Sequence, residues 1–335
     1  MAFRSIISGA LSLLPILGAA AQPAPDCARA ANPVDRAICS DPKLTAADKA
    51  MTDVYAGLRA ALPADQRAAL LASQRDWLRQ RNDSCGPKSD SELSQCILAD
   101  TEVRRQFLAG DVQNARPGAP RLVPNFVREE RKGRYRIAID YPQMAGPVNS
   151  ASAAFNKAMR DAAVPKVVAE FRTLEPGLSG EANWYETGYT VTYLDRRLAS
   201  IVFGNSSYGG GAHPNTATID VLFDLEKGRP VELADILADP KSAVPAIAGE
   251  CKARLAAEAK SEDWEFFDDA DKNFASVVGN TKSWSADKDG VTVQFDPYSV
   301  AAYVVGPREC RLSYAELGQW LKPGGPLPPH QEEKK

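Results

Sequence analysis

The sequence predicts two domains in series: an all-α helical domain stapled by disulfides, then an α+β domain built on an antiparallel sheet. Three observations carry this prediction. Between Cys27 and about Gly110, apolar residues recur at helical spacing with few β-branched runs. Beyond Pro124 the pattern turns to short alternating segments, interrupted by two long helical stretches. Of the six cysteines, four fall in the first block and two in the second.

The opening residues have their own logic. MAFR supplies a positive start, SIISGALSLLPILG a short apolar run, and AAAQ small residues for cleavage, which together read as a secretory signal peptide over residues 1–21. The run is too short to span a bilayer comfortably, and no later segment offers the roughly 20 apolar residues of a membrane helix. A periplasmic or secreted protein without membrane insertion is expected, with its mature chain starting at Gln22. In that setting the cysteines read as disulfides, and no two-residue Cys spacing marks a zinc ribbon or redox pair. Losing Arg4 with the signal takes the formal charge of −3 one unit lower, which disfavours a nucleic-acid partner.

In the first block Thr45 is the expected N-cap of a helix carrying Met51, Val54, Tyr55, Leu58 and Leu62, ended by Pro63. A second helix follows from Pro63 to Cys85, with Leu70, Leu71, Gln74, Trp77, Leu78 and Arg81 around one side, and Gly86 and Pro87 stop it. The third, carrying Cys96, Thr101 and Arg104, ends at Gly110. Cys27, Cys39, Cys85 and Cys96 allow three pairings among themselves.

Residues 111–124 lose periodicity and gain Pro and Gly, so they read as a linker. The second domain is expected over 125–321. Its strand candidates are RYRIAIDY, GYTVTYL, LASIVFG, TATIDVLFDL, GVTVQF and ECRLSY, and its helices are centred on 151–171 and 241–260, perturbed by Pro165 and Pro245. Cys251 on a helix and Cys310 on the last strand are a possible third pair. A tail without structure is expected over 322–335.

The candidate chemistry is sparse. His213 is the only histidine outside the tail, where His330 lies, and no nucleophile elbow, phosphate loop or HExxH zinc motif is present. A non-enzymatic protein without cofactor or metal is therefore expected, although a pair of carboxylates could serve a hydrolase without leaving a linear motif. Two stretches stand out as partner-binding candidates. YGGGAHPN contributes Tyr208, Gly209, Gly210, Gly211, His213 and Asn215. It reads as a tight connection between LASIVFG and TATIDVLFDL, or as bare backbone on which another chain can dock. Residues 258–274 hold seven carboxylates against two lysines among four aromatic rings. They read as an amphipathic helix with a solvated acidic face, or as a grip for a cationic protein through Glu262, Asp263, Trp264, Asp268 and Asp269.

The residues AICSDPKLTAADKAMTDVYAGL, SQRDWLRQRNDSC and CILADTEVRRQFL resemble the N-terminal domain of the LprI-type lysozyme inhibitor family over about 27–108. This resemblance implies a small helical exported domain associated with inhibiting lysozyme. The segments AIDYPQM, NSASAAFNKAM, SIVFGNSSYGGGAHPNT, DLEKGRPVELADIL and VQFDPYSVAAYVVGPRECRLSYAELGQWL resemble the extracytoplasmic domain of RsiV-type anti-sigma factors, which bind lysozyme, and of PdaC-type peptidoglycan deacetylases. The anti-sigma role does not carry over, because no membrane helix or sigma-binding segment is recognisable, and the deacetylase role lacks its several histidines. The combined expectation is an exported protein that binds, and can inhibit, c-type lysozyme by occluding its cleft. The alternatives are a non-catalytic module that contacts peptidoglycan in the cell envelope and, third, a carboxylate-dependent wall hydrolase.

Overall fold

The computed structural model describes residues 25–146, 149–175 and 182–328. The expected signal peptide, His330 and residues 329–335 of the expected tail lie outside them. The first block folds into α1 (Pro33–Ser40), α2 (Pro42–Ala61), α3 (Ala64–Cys85) and α4 (Asp90–Ala109). Pro33 and Pro42 open their helices where no N–H is needed, and the Asn32 and Asp41 side chains accept from the free N–H groups of Asp35 and Lys43. Thr45, the expected cap, instead lies inside α2, its hydroxyl donating to the Ile38 carbonyl at 2.6 Å. Pro42 starts the helix early enough for Asp41 to take the capping role.

The disulfides resolve the pairing: Cys27–Cys39 and Cys85–Cys96 within the helical block, and Cys251–Cys310 in the second. The first two cross-link residues 12 and 11 apart and the third residues 59 apart. Loop-closure entropy makes the short ones worth about 3 kcal/mol each and the long one about 4 kcal/mol.

Gly110, at φ 70°, ends α4 where a Cβ would lie 1.7 Å from the Leu122 carbonyl oxygen. The chain then runs along the sheet: Ala115 bridges to Leu194, the Arg116 N–H donates to the Leu194 carbonyl at 2.7 Å, and the first strand begins at Leu122 inside the expected linker.

The strands β1 (Leu122–Arg131) and β2 (Tyr135–Met144) form a hairpin, and α5 (Ser150–Ala163) and α6 (Val167–Phe171) follow, divided near Pro165. This crossover lays β3 (Asn183–Leu194) parallel to β2, from Tyr135 opposite Asn183 to Ile139 opposite Thr187. That one pair departs from the antiparallel expectation; β4 (Leu198–Tyr208), β5 (Asn215–Asp224) and β6 (Arg229–Pro230) continue the sheet antiparallel in chain order.

Next come α7 (Leu233–Ile236), α8 (Pro240–Glu262), α9 (Ala270–Val278) and a second sheet of β7 (Trp284–Ala286), β8 (Gly290–Phe295) and β9 (Arg308–Ser313), closed by α10 (Tyr314–Leu317). Pro245 sits within α8 without ending it. Part of the expected tail is packed: Lys322 N–H donates to the Ile236 carbonyl, and Leu327 lies against the core.

Alternation along the large sheet sets up two cores. Phe155 and Met159 of α5 pack with Ile137, Ile139, Ile201, Phe203 and Phe223, while Leu198 and Leu222 join α8, α9 and the second sheet in the other. The helical block is sealed to the sheet by Phe126 of β1, which is buried with Met51, Leu70 and Trp77. Around that seal lies a polar core. Arg104 donates to Gln74 and Ser73, each at 3.1 Å, Arg128 reaches Asp140 at 2.6 Å, and Arg136 reaches Asp76 at 3.2 Å. Burial pulls the Arg104 guanidinium down to about 10 and pushes the Asp140 carboxyl up.

Candidate docking surface

The turn between β4 and β5 is built by glycine. Gly210 and Gly211 have φ of 92° and 120°, which side chains rarely adopt, and the Tyr208 hydroxyl donates to the Gly211 carbonyl at 3.1 Å. Gly209 is tight for another reason, since a Cβ there would meet the Leu174 side chain at 3.2 Å. Tyr208 stacks near Trp184, and Asn215 opens β5 opposite Ser207. The His213 ring stacks on Tyr303 with centroids 3.9 Å apart, and its Nδ1 lies 2.8 Å from the Pro214 carbonyl.

Tyr303 brings in a segment that the sequence reading did not single out as a site, residues 296–305 between β8 and β9. Its hydroxyl donates to the Pro214 carbonyl at 2.6 Å, and Tyr298, at φ 68°, lies 5.3 Å from it. The Asp296 carboxylate accepts the Thr218 N–H, fastening the start of this segment to β5. On its other flank, Ala301 bridges to Phe266 and the Val300 carbonyl accepts from Phe267 N–H at 2.9 Å. The segment 296–305 thus joins the two candidates that lie far apart in sequence. The readable signal was its tyrosines and valines in an exposed connection between strands.

The acidic candidate is not one continuous helix. Asp263 ends α8 at φ 59°, and residues 264–269 run without helix before α9. The break follows from its rings: Trp264 and Phe266 meet edge to face at 5.0 Å, and Phe266 meets buried Phe274 at 5.5 Å, an inward turn that a straight helix would not give. Glu262 pairs with Arg308 at 2.7 Å, and that guanidinium lies 4.9 Å over Trp264. Asp263, Asp268 and Asp269 are exposed and form no ion pair among the described residues.

Three of the six exposed large apolar side chains among the described residues lie on these two linked segments: Phe267 in the acidic stretch, and Tyr298 and Val304 in 296–305, the last 92% exposed.

The fold is that of a disulfide-stapled protein of two packed blocks. The family model for the lysozyme inhibitor LprI matches residues 27–108, that for the deacetylase PdaC matches 129–216, and that for a protein of unknown function, DUF3298, matches 234–315. The chain therefore joins an LprI lysozyme inhibitor domain to a PdaC/DUF3298 region. No curated protein matches it. Among solved structures, a DUF3298 family member from Bacteroides fragilis is 20% identical with a TM-score of 0.47, covering 61% of this chain and 95% of its own. A DUF3298 family protein from Pseudomonas aeruginosa is 18% identical with a TM-score of 0.44, covering 62% and 98%. No helix among the described residues is long and apolar enough to cross a membrane. Three disulfides and the LprI domain are those of an exported protein.

Proposed function

We propose that this protein binds c-type lysozyme, a basic enzyme, and inhibits it by covering its cleft. The docking face comprises the turn at 208–215, the segment 296–305 and the acidic stretch 262–269. The observation that carries this reading is that Phe267, Tyr298 and Val304 are exposed on two segments tied together by backbone, with Asp263, Asp268 and Asp269 exposed in the stretch that holds Phe267. The LprI match supports the choice of partner. The aromatic and valine side chains supply contact area, and the carboxylates raise the rate of encounter with a basic protein.

The test is titration of the full chain with hen lysozyme at low and moderate salt, beside a wall-lysis assay for inhibition. Val304→Asp is expected to weaken binding about tenfold or more, as a central contact does. Val103→Asp, at the exposed apolar position of α4, is the control and leaves affinity unchanged. Absence of binding at low salt would sink the reading. Capture on purified sacculi without lysozyme binding would favour a wall-contacting module instead.

A further inference from the structure

Beneath the docking face lies a group of carboxylates with no cation. Asp220, on β5, is only 2% exposed, and neither carboxylate oxygen has a hydrogen-bond partner. Asp296, which follows β8, accepts the N–H of Thr218 two residues along β5, and its charge and that of Glu309, on β9, act on the Asp220 carboxyl. Asp296 is half-buried and holds the Thr218 N–H, while Glu309 is exposed on the strand that pairs with β8. No basic side chain comes within ion-pair distance of these three among the described residues. The neighbouring Arg308 is committed to Glu262 and Glu258. On the remaining sides, Lys157 and Asp161 of α5 pair with each other, and Lys282 lines the same cavity as Asp220 without an ion pair.

Burying an unpartnered carboxyl beside two further acids is costly for the fold. The Asp220 carboxyl is relieved either by holding a proton or by a cation that arrives from outside. A compact metal site is not what the group offers, since no three His, Cys, Asp or Glu side chains among the described residues are placed to hold an ion. A wider, planar cation suits carboxylates spread over three strands and their connections. We propose that Asp296 and Glu309, backed by Asp220, form a receptor for an arginine side chain of the docked protein. This deepens the proposed function, on which it rests for the identity of the partner. The guanidinium lodges against Asp296 and Glu309, and Asp220 acts on it through space from below.

A proton is linked to this event. Burial, then Asp296 and Glu309, push the Asp220 carboxyl up to about 8, so near neutral pH it holds a proton in the free protein. An arriving guanidinium favours the ionised form, and one proton leaves to the buffer.

N-acetyl-L-argininamide titrated into the full chain by calorimetry, in two buffers of different ionisation enthalpy, reads both affinity and proton release. The expected result is weak binding, about tenfold tighter near pH 8.5 than near pH 6.5, with proton release at the lower pH. Asp220→Asn flattens the pH dependence, and Glu309→Gln weakens binding at both values. Thermal melts check that each variant is folded. Absence of binding, or pH dependence that survives Asp220→Asn, overturns the receptor. Lysozyme titrated in parallel separates the two ideas. Lysozyme binding without the Asp220-dependent pH effect removes the receptor and leaves the proposed function, whereas argininamide binding without lysozyme binding does the reverse.

Discussion

Arg81 and Asp220 are both buried and ionisable, one paired with a carboxylate and the other without a hydrogen-bond partner. Arg81, 2% exposed, donates to Asp48 at 3.0 Å and to Thr101 at 3.2 Å, tying α3 to α2 and α4. Arg81→Met leaves the Asp48 carboxylate buried and alone, so a loss of about 3–5 kcal/mol is expected in urea unfolding. Asp220 has the opposite sign. Its folded value near 8 lies above the ordinary carboxylate range, so between about pH 4 and pH 8 the folded state holds a proton that the unfolded chain releases. Its contribution to stability therefore falls as pH rises through that window. Asp220→Asn is expected to raise stability near pH 8 by about 5 kcal/mol, with the gain vanishing toward pH 4 in thermal melts. Arg81 and Arg104 sit at helical spacing among apolar neighbours in the sequence, yet their burial was not readable there. Long basic residues are ordinarily exposed, and only their partners on other elements make burial affordable.

At the scale of elements, Cys251–Cys310 pins α8 to β9 beneath the docking segment. Replacing both cysteines by alanine is expected to cost about 4 kcal/mol, measured as a shift in the urea midpoint. Binding by the remaining folded fraction should persist, because neither sulfur reaches the surface. The turn between β4 and β5 was legible in YGGGAHPN, since successive glycines between two β-branched runs leave few alternatives. The strand β1 was hidden because Pro124 and the run of charges from Arg128 to Arg131 interrupt its alternation, and the 258–274 helix was overextended because its rings have helical spacing. What broke that helix was burial of Phe266 and Phe274 in the core formed with β8, a long-range contact.

On the scale of the whole molecule, the two blocks share one buried junction. Phe107 contacts both Phe126 and Tyr189, and Asp76 of α3 receives arginines from β1 and β2. Cutting the chain within 111–121 would expose Phe126 and strip Arg104 and Asp140 of their setting. The separated halves are therefore expected to unfold at lower temperature than the same blocks in the full chain, as differential scanning calorimetry would read. Binding to lysozyme should weaken severalfold between about 50 and 300 mM salt, because exposed carboxylates supply part of the attraction. A salt-independent affinity would instead assign the interface to its apolar centre.

The sequence by itself determined the helical character of the first block, the strand-rich character of the second, the glycine turn, and a cysteine content suited to disulfides. These are local properties, set by periodicity, backbone freedom and composition. The tertiary structure decided which cysteines pair, that β2 and β3 run parallel, that the blocks close over a polar core, and that residues 296–305 link His213 to the acidic stretch. Each of these depends on groups far apart in the chain being brought together by burial of apolar surface, and no local pattern records which distant partner that burial selects.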